Sequence, residues 1–514
     1  MPIPLTVLAV IDGFGYSPTI EGNAIAATRT PTLDYLWSHF PHFLVKAAEE
    51  EVGLAFGEVG NSEVGHIAIG TGRVVPQSLA LINKAVEDGT FHQNPAFLLA
   101  INQVKQSGRN LHILGIISTP GVHGHLYHIL ELIKLAAEQG ITNLYLDLIL
   151  DGRDSGPRDS PLYLREINAA LSGAKLGRIA TIAGRAFTMD RNDNWERTQR
   201  AYQVLLGQSE QTFPSVEAAL EIYYGQNLDD ENIPPTTIGQ PVPLETGDAL
   251  IFTNYREDRA RQITKALALP DFANFPRQNH PKIQVVTMTQ YERGLPVAVA
   301  FPLPELPHTL SDILSEAGIS QIHIAETEKY AHVTYFFNGG RETKRPGEEF
   351  FLVPSLKPEQ FQSHPEMSAQ AVTDAVIHSI QAGYQFIVFN FANCDMIGHT
   401  GNYEATRKAI TTVDTCFDQI WRAVAAGEGR LFVTADHGNA EMKRDPKTGD
   451  PLKEHTISPV PFIVGGINHF QEADLQKIGS GVPIAGLLCD VSPTILTLLG
   501  LPIPEEMTGT SLLG

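Results

Sequence analysis

Phe386-Ile387-Val388-Phe389-Asn390-Phe391 is an apolar run broken by one asparagine, and Asp395 and His399 follow it closely. Short runs of this kind read as parallel strands buried on both faces. The arrangement recurs along the chain. Val7-Leu8-Ala9-Val10-Ile11 runs into Asp12, and Leu431-Phe432-Val433-Thr434 runs into Asp436 and His437. His455 stands just before Pro459-Val460-Pro461-Phe462-Ile463-Val464. In open α/β sheets, ligands gather at the carboxyl ends of the strands. Asp12, Asp395, His399, Asp436, His437 and His455 are therefore expected at one sheet edge, where they would hold divalent metal, two ions in all. The mixed Asp/His set suits Mn²⁺ or Zn²⁺, and a carboxylate-richer site could take Mg²⁺. Asp395 and His399 are spaced i, i+4, which puts both on one helix face. The alternative for Asp395 is a plain helix cap.

Strand-like runs alternate with helical ones through most of the 514 residues, which is the pattern of an α/β protein. Helices are expected around Gly124–Glu138, Asn194–Leu206, Met367–Ala382 and Glu404–Val424. The length exceeds what one core supports, so at least two domains are expected. Two connectors stand out: 72–77, and the proline-rich 301–307. The metal-ligand candidates lie outside them, in 1–76 and 308–514, so a second α/β domain, 78–300, is expected as an insert through two linkers.

Within that insert, strand-like runs again end in polar residues. Leu111–Ile117 leads to His123, and Leu144–Leu150 leads to Asp151-Gly152-Arg153-Asp154. Ile179–Ala183 leads to Arg185 and Arg191, and Ala249–Phe252 leads to Arg256-Glu257-Asp258-Arg259. The guanidinium fork pairs bidentately with carboxylate and phosphate. Arginines at several strand ends of an acidic protein point to a pocket for a small, multiply anionic molecule, as against arginines paired with surface carboxylates.

Gly60-Asn61-Ser62-Glu63-Val64-Gly65-His66 holds a serine in a glycine-bracketed turn. Alone it reads as a turn. Beside bound metal, Ser62 becomes a nucleophile candidate that needs no histidine base.

The net charge of −21 argues against nucleic acid or an anionic membrane surface as partner. No apolar stretch is long enough to span a bilayer, and the first apolar run, cut short by Asp12, reads as a strand rather than a signal peptide. Three cysteines, Cys394, Cys416 and Cys489, fit a reduced cytoplasmic setting. With no obvious apolar stripe, a monomer is expected.

These motifs bring a family into view. The chain resembles the cofactor-independent phosphoglycerate mutases of the alkaline-phosphatase-like superfamily, from Asp12-Gly13-Phe14-Gly15 to Met507–Leu512. The stretches that carry the resemblance are Gly60–His66, Asp151–Asp154, Ile324–Tyr330, Asn390–Asn393 leading to Asp395, and Thr434–Asn439. The resemblance implies an alkaline-phosphatase-like α/β sandwich with two Mn²⁺ ions, one on Asp395, His399 and His455, the other on Asp12, Ser62, Asp436 and His437. It also implies a substrate site of His123, Arg153, Asp154, Arg185, Arg191, Arg256, Arg259 and Lys329. Ser62, Lys329 and Asp154 would be catalytic, and 3-phosphoglycerate and 2-phosphoglycerate would interconvert through phosphoserine without bisphosphoglycerate. Closure about the linkers would exclude water. Departures from the family pattern are Cys394 in place of proline, Leu54–Val59, Thr119-Pro120 ahead of His123, and Glu257. The rival readings are a phosphohydrolase or phosphopentomutase of the same superfamily, and a non-catalytic phosphometabolite binder.

Overall fold

The computed structural model describes residues 4–278, 280–302, 305–466 and 484–513. Two residues of the expected second linker, Leu303 and Pro304, lie outside the described residues. The chain divides into two compact units: Met1–Ala80 with Glu305–Gly514, and Leu81–Pro304. Each is built on one eight-stranded sheet with helices, so the architecture is α/β.

In chain order the first strands are β1 (Thr6–Ile11), β2 (His42–Lys46), β3 (Leu111–Ile117), β4 (Leu144–Leu150) and β5 (Arg178–Gly184). Then come β6 (Thr212–Phe213), β7 (Thr236–Ile238), β8 (Ala249–Phe252), β9 (Gln284–Thr287) and β10 (Ala298–Val299). The last are β11 (Gln321–Glu326), β12 (Glu348–Val353), β13 (Phe386–Phe391), β14 (Arg430–Thr434), β15 (Val460–Gly465) and β16 (Ile484–Leu487).

The first unit's sheet runs β12-β11-β13-β1-β14-β15-β2-β16. β1 and β13 are buried along their whole length, because both faces of the sheet are covered. Their registers with β14 are level: Ile11 lies opposite Phe391, and Val10 opposite Thr434. Residues just past these strands therefore emerge side by side.

One expectation needs correction. Val460–Gly465 is not a parallel strand; β15 runs antiparallel to both β14 and β2. The reversal explains why His455 precedes its strand while the other candidates follow theirs. The amino end of an antiparallel strand lies at the same edge as the carboxyl ends of its neighbours.

The second unit's sheet runs β10-β9-β8-β3-β4-β5-β7-β6. β8, β3, β4 and β5 are adjacent and parallel, so their four carboxyl ends form one edge. β7 is antiparallel to β5, so the turn Asp230–Asn232 ahead of it reaches that same edge. The four expected helices occur at Leu126–Glu138, Trp195–Leu205, Ala369–Gln381 and Tyr403–Ala426. Among the described residues, no helix is long and apolar enough to cross a membrane.

Candidate active site

In the first unit, Ser62 opens the helix Ser62–Thr71. Asn61 caps that helix, its side chain accepting from the Val64 amide at 3.0 Å. A helix amino terminus presents free N–H groups and a positive dipole end, which suit a phosphoryl group. The helix must approach the segment after Lys329 closely. A Cβ at Gly70 would collide with the Phe337 carbonyl. Lys329 ends a 3₁₀ turn that follows β11, and a π-helical turn, His332–Phe336, comes next. Turns of that kind recur at functional sites.

The eight expected residues of this unit converge. Ser62 Oγ lies 2.9 Å from His437 Nε2 and donates to Asp12 Oδ1 at 3.2 Å. Lys329 Nζ donates to Ser62 Oγ at 2.8 Å, to Asp12 Oδ1 at 2.6 Å and to Asp395 Oδ2 at 2.7 Å. Asp395 Oδ1 lies 3.2 Å from His399 Nε2 and 3.1 Å from His455 Nε2. Asp395 does not cap its helix; Ala392 holds that position, and the Asp395 carboxylate turns inward.

Two groups have metal-ligand geometry: Asp395, His399 and His455; and Asp12, Asp436 and His437, with ligand atoms within 4.8 Å of one another in each. Three features fit cations there. His455 Nδ1 faces the Gly60 carbonyl at 2.8 Å, and His437 Nδ1 faces the Gly438 carbonyl at 3.2 Å. A ring whose Nδ1–H is spent on a carbonyl turns the Nε2 lone pair to the metal side. Asp436 Oδ2 is buried without a hydrogen-bond partner. Three buried carboxylates, Asp12, Asp395 and Asp436, also gather around the Lys329 ammonium, an excess of negative charge that burial makes costly.

The titration behaviour follows from that excess. Burial alone would raise the Asp12 and Asp395 carboxyls, but Lys329 beside them holds both well below the usual carboxylate range. Asp436 is raised, by burial and by the nearby Asp12 charge. Burial would lower His437, yet Asp436 and Asp12 push it up to about 9. Lys329 is held above the ordinary lysine range by Asp12, Asp395 and Asp436, against the pull of burial. The opposed shifts mark a cluster of carboxylates that gains from added positive charge.

Sequence reasoning missed the polar shell behind these groups. Asn390 Nδ2 donates to Asp12 Oδ2 at 2.8 Å and lies 3.2 Å from His66 Nε2. His66 Nδ1 lies 2.8 Å from the Ser62 carbonyl. Burial lowers the His66 pKa, which keeps the ring neutral. Glu441 accepts from the backbone amides of Gly15 and Asn439 and from the Thr456 hydroxyl. It thereby ties together three loops that carry ligands. The available signals were one asparagine in an apolar strand and a histidine four residues after Ser62.

In the second unit the strand ends also converge. Arg185 is buried, and its Nη1 donates to Asp151 Oδ1 and to Asp154 Oδ2, each at 2.5 Å. His123 stands between Asp154, at 4.0 Å, and Asp258, at 3.6 Å. Asp258 also takes Arg191 Nη1 at 2.5 Å and lies 3.5 Å from Arg256 Nε. Arg153 pairs with Glu231 at 3.4 Å, and Arg259 Nη1 donates to the Met189 carbonyl at 3.3 Å. The Arg259 pKa falls through burial and the nearby charges of Arg191, Arg185 and Arg153. Burial, then Arg185, draws His123 down to about 4. Arg185 Nε is buried without a partner. This is a cationic, partly desolvated cluster with donors to spare, matched to a small anion. Asp258 and Glu231, as partners of the arginines, were not expected.

The departures from the family pattern remove none of these groups. Cys394 is buried, Thr119 Oγ1 lies 3.3 Å from the Tyr163 hydroxyl, and Glu257 pairs with Arg261 at 3.5 Å.

A serine at a helix amino terminus, flanked by two Asp/His clusters on an α/β sheet edge, defines a phosphoryl-transfer protein of the phosphodiesterase and alkaline-phosphatase-like class. Residues 282–490 match the family described as type I phosphodiesterase / nucleotide pyrophosphatase, and residues 82–293 match the amino-terminal region of BPG-independent PGAM. A 2,3-bisphosphoglycerate-independent phosphoglycerate mutase of Synechococcus sp. (strain JA-2-3B'a(2-13)) is 46% identical, over 99% of this chain and 95% of its own length. One from Pseudomonas fluorescens (strain Pf0-1) is 42% identical, over 100% of this chain and 99% of its own length. The crystal structure of Leishmania mexicana phosphoglycerate mutase at low cobalt concentration matches with a TM-score of 0.72. It is 31% identical and covers 99% of this chain and 98% of that one. The chain belongs to the 2,3-bisphosphoglycerate-independent phosphoglycerate mutase family, enzymes that require a divalent metal and no bisphosphoglycerate.

Proposed function

We propose that Ser62 carries the phosphoryl group between the two hydroxyls of glycerate, and that two Mn²⁺ ions serve it. The observation that carries this reading is the position of Ser62 Oγ, within 3.2 Å of Lys329, His437 and Asp12, with Lys329 reaching on to Asp395 of the second ligand cluster. Asp395, His399 and His455 would hold one ion; Asp12, Ser62, Asp436 and His437 would hold the other. When bound, the ions lower the pKa of the serine hydroxyl and offset phosphoryl charge.

The chain's own residues do the rest. Ser62 Oγ gives up its proton and attacks the phosphorus of 3-phosphoglycerate in line; the bond from phosphorus to O3 breaks as the bond to Oγ forms, and O3 takes up a proton to become the 3-hydroxyl of glycerate. Lys329, a buried donor 2.8 Å from Oγ, offsets charge that grows on the transferring group. Arg153, Arg185, Arg191, Arg256 and Arg259 hold the glycerate anion. Asp154, fixed by Arg185, takes the proton from the 2-hydroxyl as O2 attacks the phosphoserine; the bond from phosphorus to Oγ breaks and Ser62 is regenerated. His123, uncharged near neutral pH, contacts the substrate or passes a proton. Water kept away from the phosphoserine preserves the intermediate. Residues 1–76 with 308–514 thus act as the metal-binding phosphatase-like part, and 78–300 as the substrate part. Three free, buried cysteines fit a cytoplasmic enzyme, and we propose a monomer acting on 3-phosphoglycerate and 2-phosphoglycerate.

The test is conversion of 3-phosphoglycerate to 2-phosphoglycerate with Mn²⁺ and no bisphosphoglycerate, then with chelator. Turnover should require the ion and release no phosphate. Release of inorganic phosphate in place of isomerisation would overturn the reading.

A further inference from the structure

Asn439 and Lys443 lie in the turn after His437, and both are fully buried. Asn439 Nδ2 donates to Asp395 Oδ1 at 2.8 Å. Its other amide atom, Oδ1, accepts from Lys443 Nζ. Among the described residues the other hydrogen-bond acceptor of that ammonium is the Gly398 carbonyl, at 3.4 Å. Among the described residues Lys443 forms no ion pair: its direct partners are neutral oxygens, and the carboxylates of Glu441, Asp395 and Glu454 act on its buried charge only from beyond ion-pair distance. Such a charge is costly, and an apolar side chain of the same length would fill the space without that cost.

The arrangement has one evident consequence. An ammonium only donates, whereas a carboxamide both donates and accepts. With Lys443 behind it, Asn439 must turn its oxygen to the lysine and its NH₂ to Asp395. The opposite orientation would set two donors face to face on one side and two acceptors on the other. We propose that Lys443 is a positioning residue: through Asn439 it fixes Asp395 Oδ1 in the orientation that ligates metal beside His399 and His455. Lys329 holds the other oxygen of the same carboxylate at 2.7 Å, so both oxygens of Asp395 are constrained. Outer groups that orient a metal ligand commonly change metal affinity by about 10–100-fold when removed. The inference rests on the reading of Asp395, His399 and His455 as a metal site.

The experiment is a double-mutant cycle read by calorimetric titration of Mn²⁺ into the full-length apo-protein. The variants are Lys443→Met, Asn439→Ala and the two together, with Asp395→Ala to identify the site. Lys443→Met should weaken Mn²⁺ binding at the Asp395 site about 10-fold, and Asn439→Ala about 10–100-fold. The double variant should bind no more weakly than Asn439→Ala alone. Thermal unfolding in chelator shows that each variant folds; if Lys443→Met does not, Asn439→Ala carries the test, since it cuts the same link. Affinity of Lys443→Met or Asn439→Ala within about twofold of the parent, or effects that multiply in the double variant, would overturn the role. If Asp395→Ala itself leaves Mn²⁺ binding unchanged, the metal-site reading fails, and this inference with it.

Discussion

Replacing Lys329 by Met removes the lysine ammonium that pairs directly with Asp12 and Asp395 and leaves a side chain of similar length. Nζ lies 2.6 Å from Asp12, 2.7 Å from Asp395 and 2.8 Å from Ser62 Oγ, and all four groups are buried. Removing one partner of a buried ion pair costs about 3–5 kcal/mol, because the other charge stays uncompensated. For a large unit this corresponds to roughly 6–10 °C in the unfolding midpoint. The cost depends on metal. Divalent ions on Asp12 and Asp395 supply the missing positive charge, so excess Mn²⁺ should restore at least half of the lost midpoint. Catalysis should not recover, because the donor to the phosphoryl group is gone; a fall in kcat of about 10²–10³ is expected. The assay is thermal unfolding of parent and variant in chelator and in excess Mn²⁺, with turnover measured in the second condition. An unchanged midpoint in chelator, or an equal loss with and without Mn²⁺, would refute the charge argument.

Other consequences can be checked singly. Glu326 is buried at the end of β11, and burial raises its carboxyl to about 7. The folded state then holds a proton that the unfolded chain releases near its ordinary 4.5, so this stabilisation is complete below that pH and is lost as pH rises through 7. The difference amounts to about 3 kcal/mol. Glu326→Gln should therefore be more stable than the parent at pH 8 and lose that advantage by pH 5, as read by unfolding midpoints; parallel pH profiles would contradict this. Arg185→Lys keeps charge but loses the planar guanidinium whose Nη1 joins Asp151 and Asp154 and whose remaining donors suit an anion, and should raise KM for 3-phosphoglycerate by about 10-fold or more. A KM within twofold of the parent would rule that role out. Gly70→Ala drives a methyl group into the Phe337 carbonyl and should cost about 1–3 kcal/mol of stability, measured as a lower midpoint in chelator.

Much of this site was legible in the sequence because strand ends are legible. Asp12, Asp395 and Asp436 each follow a largely apolar run, and level register in a parallel sheet brings such positions together whatever the loops do. His455 was harder. It precedes its strand, and periodicity carries no direction, so the antiparallel sense of β15 could not be read. Glu231 was missed for the same reason, since it precedes the antiparallel β7. Asp395 shows a different limit: its spacing to His399 also fits a capped helix, and only packing decides which way the carboxylate turns. The roles of Asn390, Asn439 and Lys443 were not legible because they arise from neighbours distant in sequence or through an intervening side chain; Asn390 showed only as a polar residue in an apolar strand. Asn390 meets Asp12 across the sheet, and Lys443 reaches Asp395 only through an amide.

The central claim is that Ser62 becomes covalently phosphorylated during turnover. The direct measurement is to mix the Mn²⁺-loaded protein with 3-phosphoglycerate labelled in its phosphoryl group, quench in acid within a turnover, and map the labelled peptide. The account predicts label on the peptide containing Ser62, none with chelator present, and none in Ser62→Ala, which should also fail to isomerise. Label on another residue, or full isomerase turnover by Ser62→Ala, would contradict it.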